Sequence, residues 1–204
     1  ELEQLEQEHK NLTNAETLLG ICRQVVEQCS ESDSGNVLNA LTVSLNRLSS
    51  VNNSIGALGE ASSLLNEEKY DLVRFTVEKV QGRVPVVMNI AEQTTRAAMA
   101  AAQVAENCGA SGLMLLPPMR YKADDRETLE YFRAVADTSA LPIMIYNNPV
   151  DYKILVTLDM FEEMAAWPTI QAVKESTRDV SNVTRMINRF GDRFKILCGV
   201  DTLA

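Results

Sequence analysis

The sequence of 204 residues lacks the features on which several classes of protein depend. It contains a single histidine, His9, and its four cysteines form no Cys-x-x-Cys pair, so a zinc site built from Cys and His is not expected. No apolar run reaches the roughly 20 residues that span a bilayer. The charged first residues also lack the apolar core of a signal peptide. We therefore expect a cytoplasmic protein with reduced cysteines and no membrane partner.

Basic charge is also scarce. The chain has 19 Lys and Arg residues against 28 Asp and Glu residues, which gives a formal net charge of −9. Nucleic-acid-binding proteins neutralise phosphates with a basic face, so we expect no contact with nucleic acid. The Gly-x-x-x-x-Gly-Lys-Ser/Thr loop of P-loop ATPases is missing as well, which excludes that kind of nucleotide site from this sequence.

The first part of the chain follows a helical pattern. Apolar side chains recur every seven residues at Leu5, Leu12, Leu19 and Val26. A polar break over residues 30–36 precedes a second helical pattern. We predict a helical hairpin or coiled coil over residues 1–66; two amphipathic helices packed on another surface are the alternative.

From Glu67 onward, short apolar runs alternate with longer amphipathic runs. The strand candidates are Val84–Ile90, Gly112–Leu116, Pro142–Tyr146, Ile170–Lys174 and Phe194–Cys198. The helix candidates between them are Thr94–Asn107, Arg126–Asp137, Leu158–Ala166 and Val180–Phe190. This alternation, at a period of about 30 residues, predicts parallel βαβ units. The period alone leaves open whether the strands form a barrel or an open doubly wound sheet.

Two reactive side chains end neighbouring strand candidates, where active sites of parallel sheets lie. Lys174 ends a mostly apolar strand, and burial there would lower its pKa and supply the neutral amine that Schiff-base chemistry needs. Tyr146 ends the preceding strand candidate, where a phenol can transfer protons. The alternatives are a lysine that extends to solvent and a core tyrosine with a satisfied hydroxyl. The residues after Tyr146, at 147–149, predict a turn.

Several ordered motifs carry a resemblance to a known family. They are Leu-Pro-Ile-Met-Ile-Tyr-Asn-Asn-Pro at 141–149, Ala-Val-Lys-Glu-Ser at 172–176 and Gly-Val-Asp at 199–201, preceded by matching runs at 82–87 and 109–114. In this order they resemble the dihydrodipicolinate synthase / N-acetylneuraminate lyase family over residues 67–204. The resemblance implies a (β/α)₈ barrel of the TIM type and a homo-oligomer. It also implies a class I lyase or aldolase that needs neither a metal nor an organic cofactor.

The resemblance also implies roles for individual residues. Lys174 would form an imine with pyruvate or another small 2-oxo acid, and Tyr146 would act as the acid and base of a proton relay. Substrate binding would fall to Asn148 and to Gly59 and Glu60 of the loop at 56–60. Independently of the resemblance, we expect Arg120 to hold a substrate carboxylate in a bidentate fashion, and a solvated loop arginine is the alternative.

Two loops depart from the family pattern. The loop at 118–121 reads Pro-Met-Arg-Tyr, so the usual second tyrosine of the relay is displaced or absent. The loop at 56–60 reads Gly-Ala-Leu-Gly-Glu and lacks both hydroxyl residues of the usual Gly-Thr-Thr-Gly-Glu. A less typical 2-oxo acid lyase or dehydratase is therefore favoured over dihydrodipicolinate synthesis.

Strands one, two and eight of the family have no counterpart in the pattern. We therefore expect an α/β fold with an incomplete barrel of about five parallel strands over residues 67–204. Residues 1–65 resemble the coiled-coil region of the bacterial recombination and repair protein N, and residues 56–68 fit both families. The alternative function is a non-catalytic fusion or fragment whose helical N-terminal part is an interaction segment of the DNA-repair type.

Overall fold

The computed structural model of the chain describes residues 64–83, 85–118 and 120–199. The helical segment predicted for residues 1–66 therefore lies almost wholly outside the described residues, as do Gly59 and Glu60. The chain divides into two compact units, residues 1–86 and residues 87–204.

The described part of the first unit contains helix α1 (Asn66–Val80). The backbone N–H of Leu65 donates to the carboxylate of Glu68 at 2.7 Å, which satisfies an N–H group that the helix itself leaves unpaired. At the other end Gln81 adopts a left-handed conformation (φ 50°), and its N–H donates to the carbonyl of Val77. This helix is an addition to the elements predicted from the sequence.

The second unit is built on a five-stranded sheet. Its strands are β1 (Val87–Ile90), β2 (Gly112–Leu115), β3 (Ile143–Asn147), β4 (Ile170–Glu175) and β5 (Lys195–Cys198). They lie in the order of the sequence, and every neighbouring pair is parallel. A doubly wound sheet reverses its strand order at a switch point, whereas a barrel of the TIM type adds each strand beside the last. The predicted α/β fold, a partial barrel of parallel strands, is confirmed.

Helices connect successive strands, as the sequence predicted. They are α2 (Thr95–Asn107), α3 (Asp125–Ala136), the short α4 (Pro149–Tyr152), α5 (Leu158–Met164) and α6 (Val180–Phe190). The side chains of Thr94, Asp124, Thr157 and Asp179 cap four of them by accepting a backbone N–H. Caps of this kind contribute about 1 kcal/mol each and fix where each helix leaves its strand. None of the helices in the described part of the chain is long and apolar enough to cross a membrane.

The two faces of the sheet differ in burial. One face carries side chains that are almost fully buried, among them Leu113, Leu115, Ile145 and Val173. The opposite face carries Met114 and Met144, which are only half-buried. Lys174 lies on this face as well, two residues beyond Ala172, which pairs with Met144. Because side chains alternate along a strand, the period of two assigns each residue to one face. The fully buried face is the core of the unit, and burial of each large aliphatic side chain contributes roughly 1.5–3 kcal/mol.

The loop before β4 is held by one arginine. The guanidinium of Arg193 donates to the carbonyls of Ala165, Trp167 and Ile170 at 2.9, 2.9 and 2.8 Å. A planar guanidinium carries five N–H donors in a fixed fork, so this one side chain can bind three carbonyls at once. These bonds fix the start of β4, the strand that contains Lys174.

Candidate active site

A bulge in the sheet sets the pairing at the site. Ile143 pairs with Ile170, but the next residue, Met144, pairs with Ala172, so β4 contains one extra residue at this point. After the bulge Tyr146 lies directly opposite Lys174. Without it Tyr146 would face Val173, and a slip of one residue places side chains on opposite faces. The bulge therefore brings the two candidate catalytic side chains together.

Lys174 is buried at the end of β4, with 2% of its surface exposed. Its Nζ atom lies 4.1 Å from the ring centroid of Tyr146. Burial penalises the charged ammonium and lowers the pKa of Lys174 from 10.5 to about 8. A face-on aromatic ring favours the ammonium, so the ring of Tyr146 acts in the opposite direction to burial. The side chain therefore loses its proton near pH 8, well below the pH at which an exposed lysine does so.

Tyr146 is also buried, and its phenolic oxygen accepts a hydrogen bond from the Asn148 amide at 3.1 Å. Burial raises the pKa of Tyr146, and the nearby Asp151 carboxylate raises it further. The Asn148 amide and the Ser176 hydroxyl lower this pKa because each can donate to the phenolate. The phenol is therefore kept protonated in a setting that contains two hydrogen-bond donors.

Asn148 connects the phenol to the start of α4. Its side-chain oxygen accepts the N–H of Asp151 at 3.3 Å, and its amide donates to the Asp151 carboxylate at 2.7 Å and to Tyr146. Pro149 occupies the first position of the helix, where a missing N–H costs nothing. The predicted turn is thus a short helix with an asparagine cap. The observed contacts of Asn148 orient Tyr146, and its role in substrate binding stays a prediction.

A second polar cluster lies behind the site, on the face that carries the helices. The Asn147 side chain donates to the carbonyl of Val156 at 3.1 Å and accepts its N–H at 3.0 Å. The buried Glu175 carboxylate accepts from Asn182 of α6 at 2.8 Å, from the backbone N–H of Thr177 at 2.7 Å and from Asn147 at 3.4 Å. These bonds tie the ends of β3 and β4 to α6 and to the residues before α5. Sequence reasoning missed this cluster, although the alternation of faces places both residues behind Lys174 and Tyr146.

Ser176 and Gly199 complete the end of the sheet. The N–H of Ser176 donates to the carbonyl of Asn147 at 2.9 Å, and the N–H of Gly199 donates to that of Glu175 at 2.8 Å. Ser176 is fully buried, and its hydroxyl makes no hydrogen bond of ordinary geometry within residues 64–83, 85–118 and 120–199. A Cβ atom on Gly199 would lie 1.9 Å from the Ser176 oxygen, so no other residue fits at 199 without movement.

The other predicted binding residues, Arg120, Gly59 and Glu60, stay predictions. Arg120 is exposed in the loop after β2 and forms no ion pair with the described residues. Gly59 and Glu60 lie outside the described residues. In the same described part of the chain, no group of three or more His, Cys, Asp and Glu side chains is placed to hold a metal ion. The structure therefore brings together Lys174 and Tyr146 with Asn148.

Comparison with known families and sequences gives a consistent result. The model of the dihydrodipicolinate synthetase family matches residues 42–204. The 4-hydroxy-tetrahydrodipicolinate synthase of Clostridium perfringens is 33% identical over 146 residues, which are 72% of this chain and 50% of the relative. The enzyme of the same name from Pseudomonas aeruginosa is 30% identical over 150 residues, 74% of this chain and 51% of the relative. The chain thus spans about half the length of the curated relatives it matches.

Solved structures agree with this likeness. YagE, a prophage protein of the dihydrodipicolinic acid synthase family from E. coli K12 solved with pyruvate, superposes with a TM-score of 0.66 at 30% identity, over 70% of this chain and 49% of that one. A dihydrodipicolinate synthase from Bacillus anthracis gives a TM-score of 0.70 at 29% identity, over 80% of this chain and 57% of that one. Since the family model covers most of the sequence and the fold agrees, the chain belongs to the dihydrodipicolinate synthetase family.

Proposed function

We propose that the site performs class I lyase or aldolase chemistry, in which Lys174 forms a Schiff base with pyruvate or a related 2-oxo acid. The observation that carries this proposal is the register that sets the buried Lys174 amine opposite Tyr146, 4.1 Å from its ring. The pyruvate that the YagE structure contains supports a substrate of this class.

The depressed pKa of Lys174 suits this role. At pH 8 a lysine with a pKa of about 8 is about half neutral, whereas one with the ordinary value of 10.5 is only about 0.3% neutral. Only the neutral amine has the lone pair that attacks a carbonyl carbon. Burial thus increases the reactive fraction by roughly two orders of magnitude.

Tyr146 supplies the proton that imine formation requires. Attack of the amine on the ketone gives a carbinolamine after a proton moves from nitrogen to oxygen. The phenol then gives its proton to the carbinolamine hydroxyl, the carbon–oxygen bond breaks, and water leaves as the nitrogen lone pair forms the iminium. The phenolate that remains can take a proton from the methyl carbon, which yields the enamine and restores the phenol.

Reductive trapping tests the proposal. Incubation with pyruvate and borohydride, followed by intact-mass measurement and peptide mapping, should give one reduced pyruvyl adduct on Lys174. The Lys174→Met variant should give none, and Lys195→Met, which removes an exposed lysine from the neighbouring strand, should react like the unaltered chain. A folded chain that forms no adduct, or forms it on exposed lysines, would contradict the proposal.

A further inference from the structure

Four polar side chains form a block at the ends of β3 and β4. Tyr146 faces Lys174, and the buried side chains of Asn148 and Ser176 follow two residues farther along each chain segment, just past the strand ends. The hydrogen bond from the N–H of Ser176 to the carbonyl of Asn147 extends the parallel ladder by one step and keeps Ser176 beside Asn148. Because the Asn148 amide donates to the phenolic oxygen, this oxygen lies at the level of Asn148 and Ser176.

The second feature of this block is the buried hydroxyl of Ser176. The side chain is fully buried, and its oxygen has no hydrogen-bond partner of ordinary geometry among the described residues. Leaving a buried hydroxyl without a partner costs free energy, so such a group calls for an explanation. Gly199 lies against it, and any side chain there would displace the hydroxyl, since a Cβ atom would come within 1.9 Å of the oxygen.

We propose that Ser176 is a positioning residue for the Schiff-base chemistry, and that its hydroxyl donates a hydrogen bond to the Tyr146 oxygen while that oxygen carries negative charge. The inference rests on the proposed function and adds a residue to it. When the phenol gives its proton to the departing water, the oxygen gains charge and needs more donors than the one Asn148 supplies. The hydroxyl is then satisfied in the charged intermediate, where its hydrogen bond is worth most.

The electrostatics of the phenol agree with this role. Burial raises the pKa of Tyr146, which opposes loss of its proton, and the Ser176 hydroxyl acts in the opposite direction. Ser176 therefore acts on the reaction through the phenolic oxygen of Tyr146. Its loss should slow proton transfer without changing how much pyruvate is needed for half-maximal rate.

The test is the rate of imine formation with pyruvate, measured by quenched borohydride trapping. Ser176→Ala should slow adduct formation about tenfold or more, at an unchanged half-saturating pyruvate concentration. Ser176→Thr keeps the hydroxyl and should restore most of the rate. Ser181→Ala deletes an exposed hydroxyl and should leave the rate unchanged. Ser176→Cys keeps the volume with a weak donor, should also be slow, and replaces the alanine variant if that one is unstable.

A double-mutant cycle shows whether the effect passes through Tyr146. In a Tyr146→Phe background, Ser176→Ala should cause no further slowing. An equal slowing in both backgrounds, or an unaltered rate in Ser176→Ala, would overturn the inference while the adduct on Lys174 still supports the proposed function. Absence of any adduct on Lys174 in the unaltered chain would overturn both.

Discussion

At the scale of single residues, the site depends on one buried amine. Lys174 is the next-to-last residue of β4, and its burial lowers its pKa to about 8. The sequence predicted both the lysine and its tyrosine partner from their places at strand ends. The sequence did not predict a role for Ser176 or Glu175, because the role of each depends on the atoms that surround its side chain in the folded chain.

The buried amine has a measurable effect on stability. The folded chain releases the Lys174 proton near pH 8, whereas the unfolded chain keeps it to about 10.5. Between these values the unfolded state binds more protons, so the contribution of Lys174 to the free energy of unfolding is lowest below pH 8 and rises with pH. Burying the charged ammonium of Lys174 lowers the free energy of unfolding by up to about 3 kcal/mol, since a shift of one pKa unit corresponds to about 1.4 kcal/mol. The Lys174→Met variant does not carry this cost.

Urea unfolding at pH 7 and at pH 10 measures this effect. Lys174→Met should be more stable than the unaltered chain at pH 7, and its advantage should shrink at pH 10. Lys195→Met, on the exposed side of β5, corrects for the general effect of pH on the chain. An advantage that does not change between the two pH values would show that the lysine is not desolvated as described.

At the scale of elements, the alternating pattern predicted most of the fold. The candidate Gly112–Leu116 is β2 apart from its last residue, and Val180–Phe190 is α6 without change. The local sequence determines these elements, because the spacing of apolar residues and the capping side chains both lie within or next to the element itself. The bulge at the start of β3 and β4 was not predictable, because it depends on how two distant strands pair. That bulge decides which residue Tyr146 faces.

The polar cluster behind the site should stabilise the ends of these elements. In Glu175→Gln an amide N–H replaces one acceptor oxygen and leaves at least one of the three donors around Glu175 unpaired. We expect a loss of about 2 kcal/mol in the free energy of unfolding. Glu163→Gln, the same change at an exposed position, should be neutral. Matching denaturation midpoints for the two variants would contradict the role given to this cluster.

At the scale of the whole molecule, family membership and fold agree over the described part of the chain. The family match begins at residue 42, upstream of the boundary near residue 66 that the change of pattern suggested. That boundary stays a prediction, as do the homo-oligomer, the cytoplasmic location and the resemblance of residues 1–65 to a coiled coil. Heptad patterns are common to many helical proteins. The ordered motifs around Tyr146 and Lys174 are far more specific.

The central claim is that a buried, neutral Lys174 amine attacks a 2-oxo acid. The most direct measurement is the pH dependence of adduct formation with pyruvate at low concentration, with the adduct mapped to Lys174. The account predicts a rate that rises with pH and is half-maximal near pH 8, the pKa of the buried amine. A rate that continues to rise through pH 10, as for an exposed lysine, or an adduct that does not map to Lys174, would contradict it.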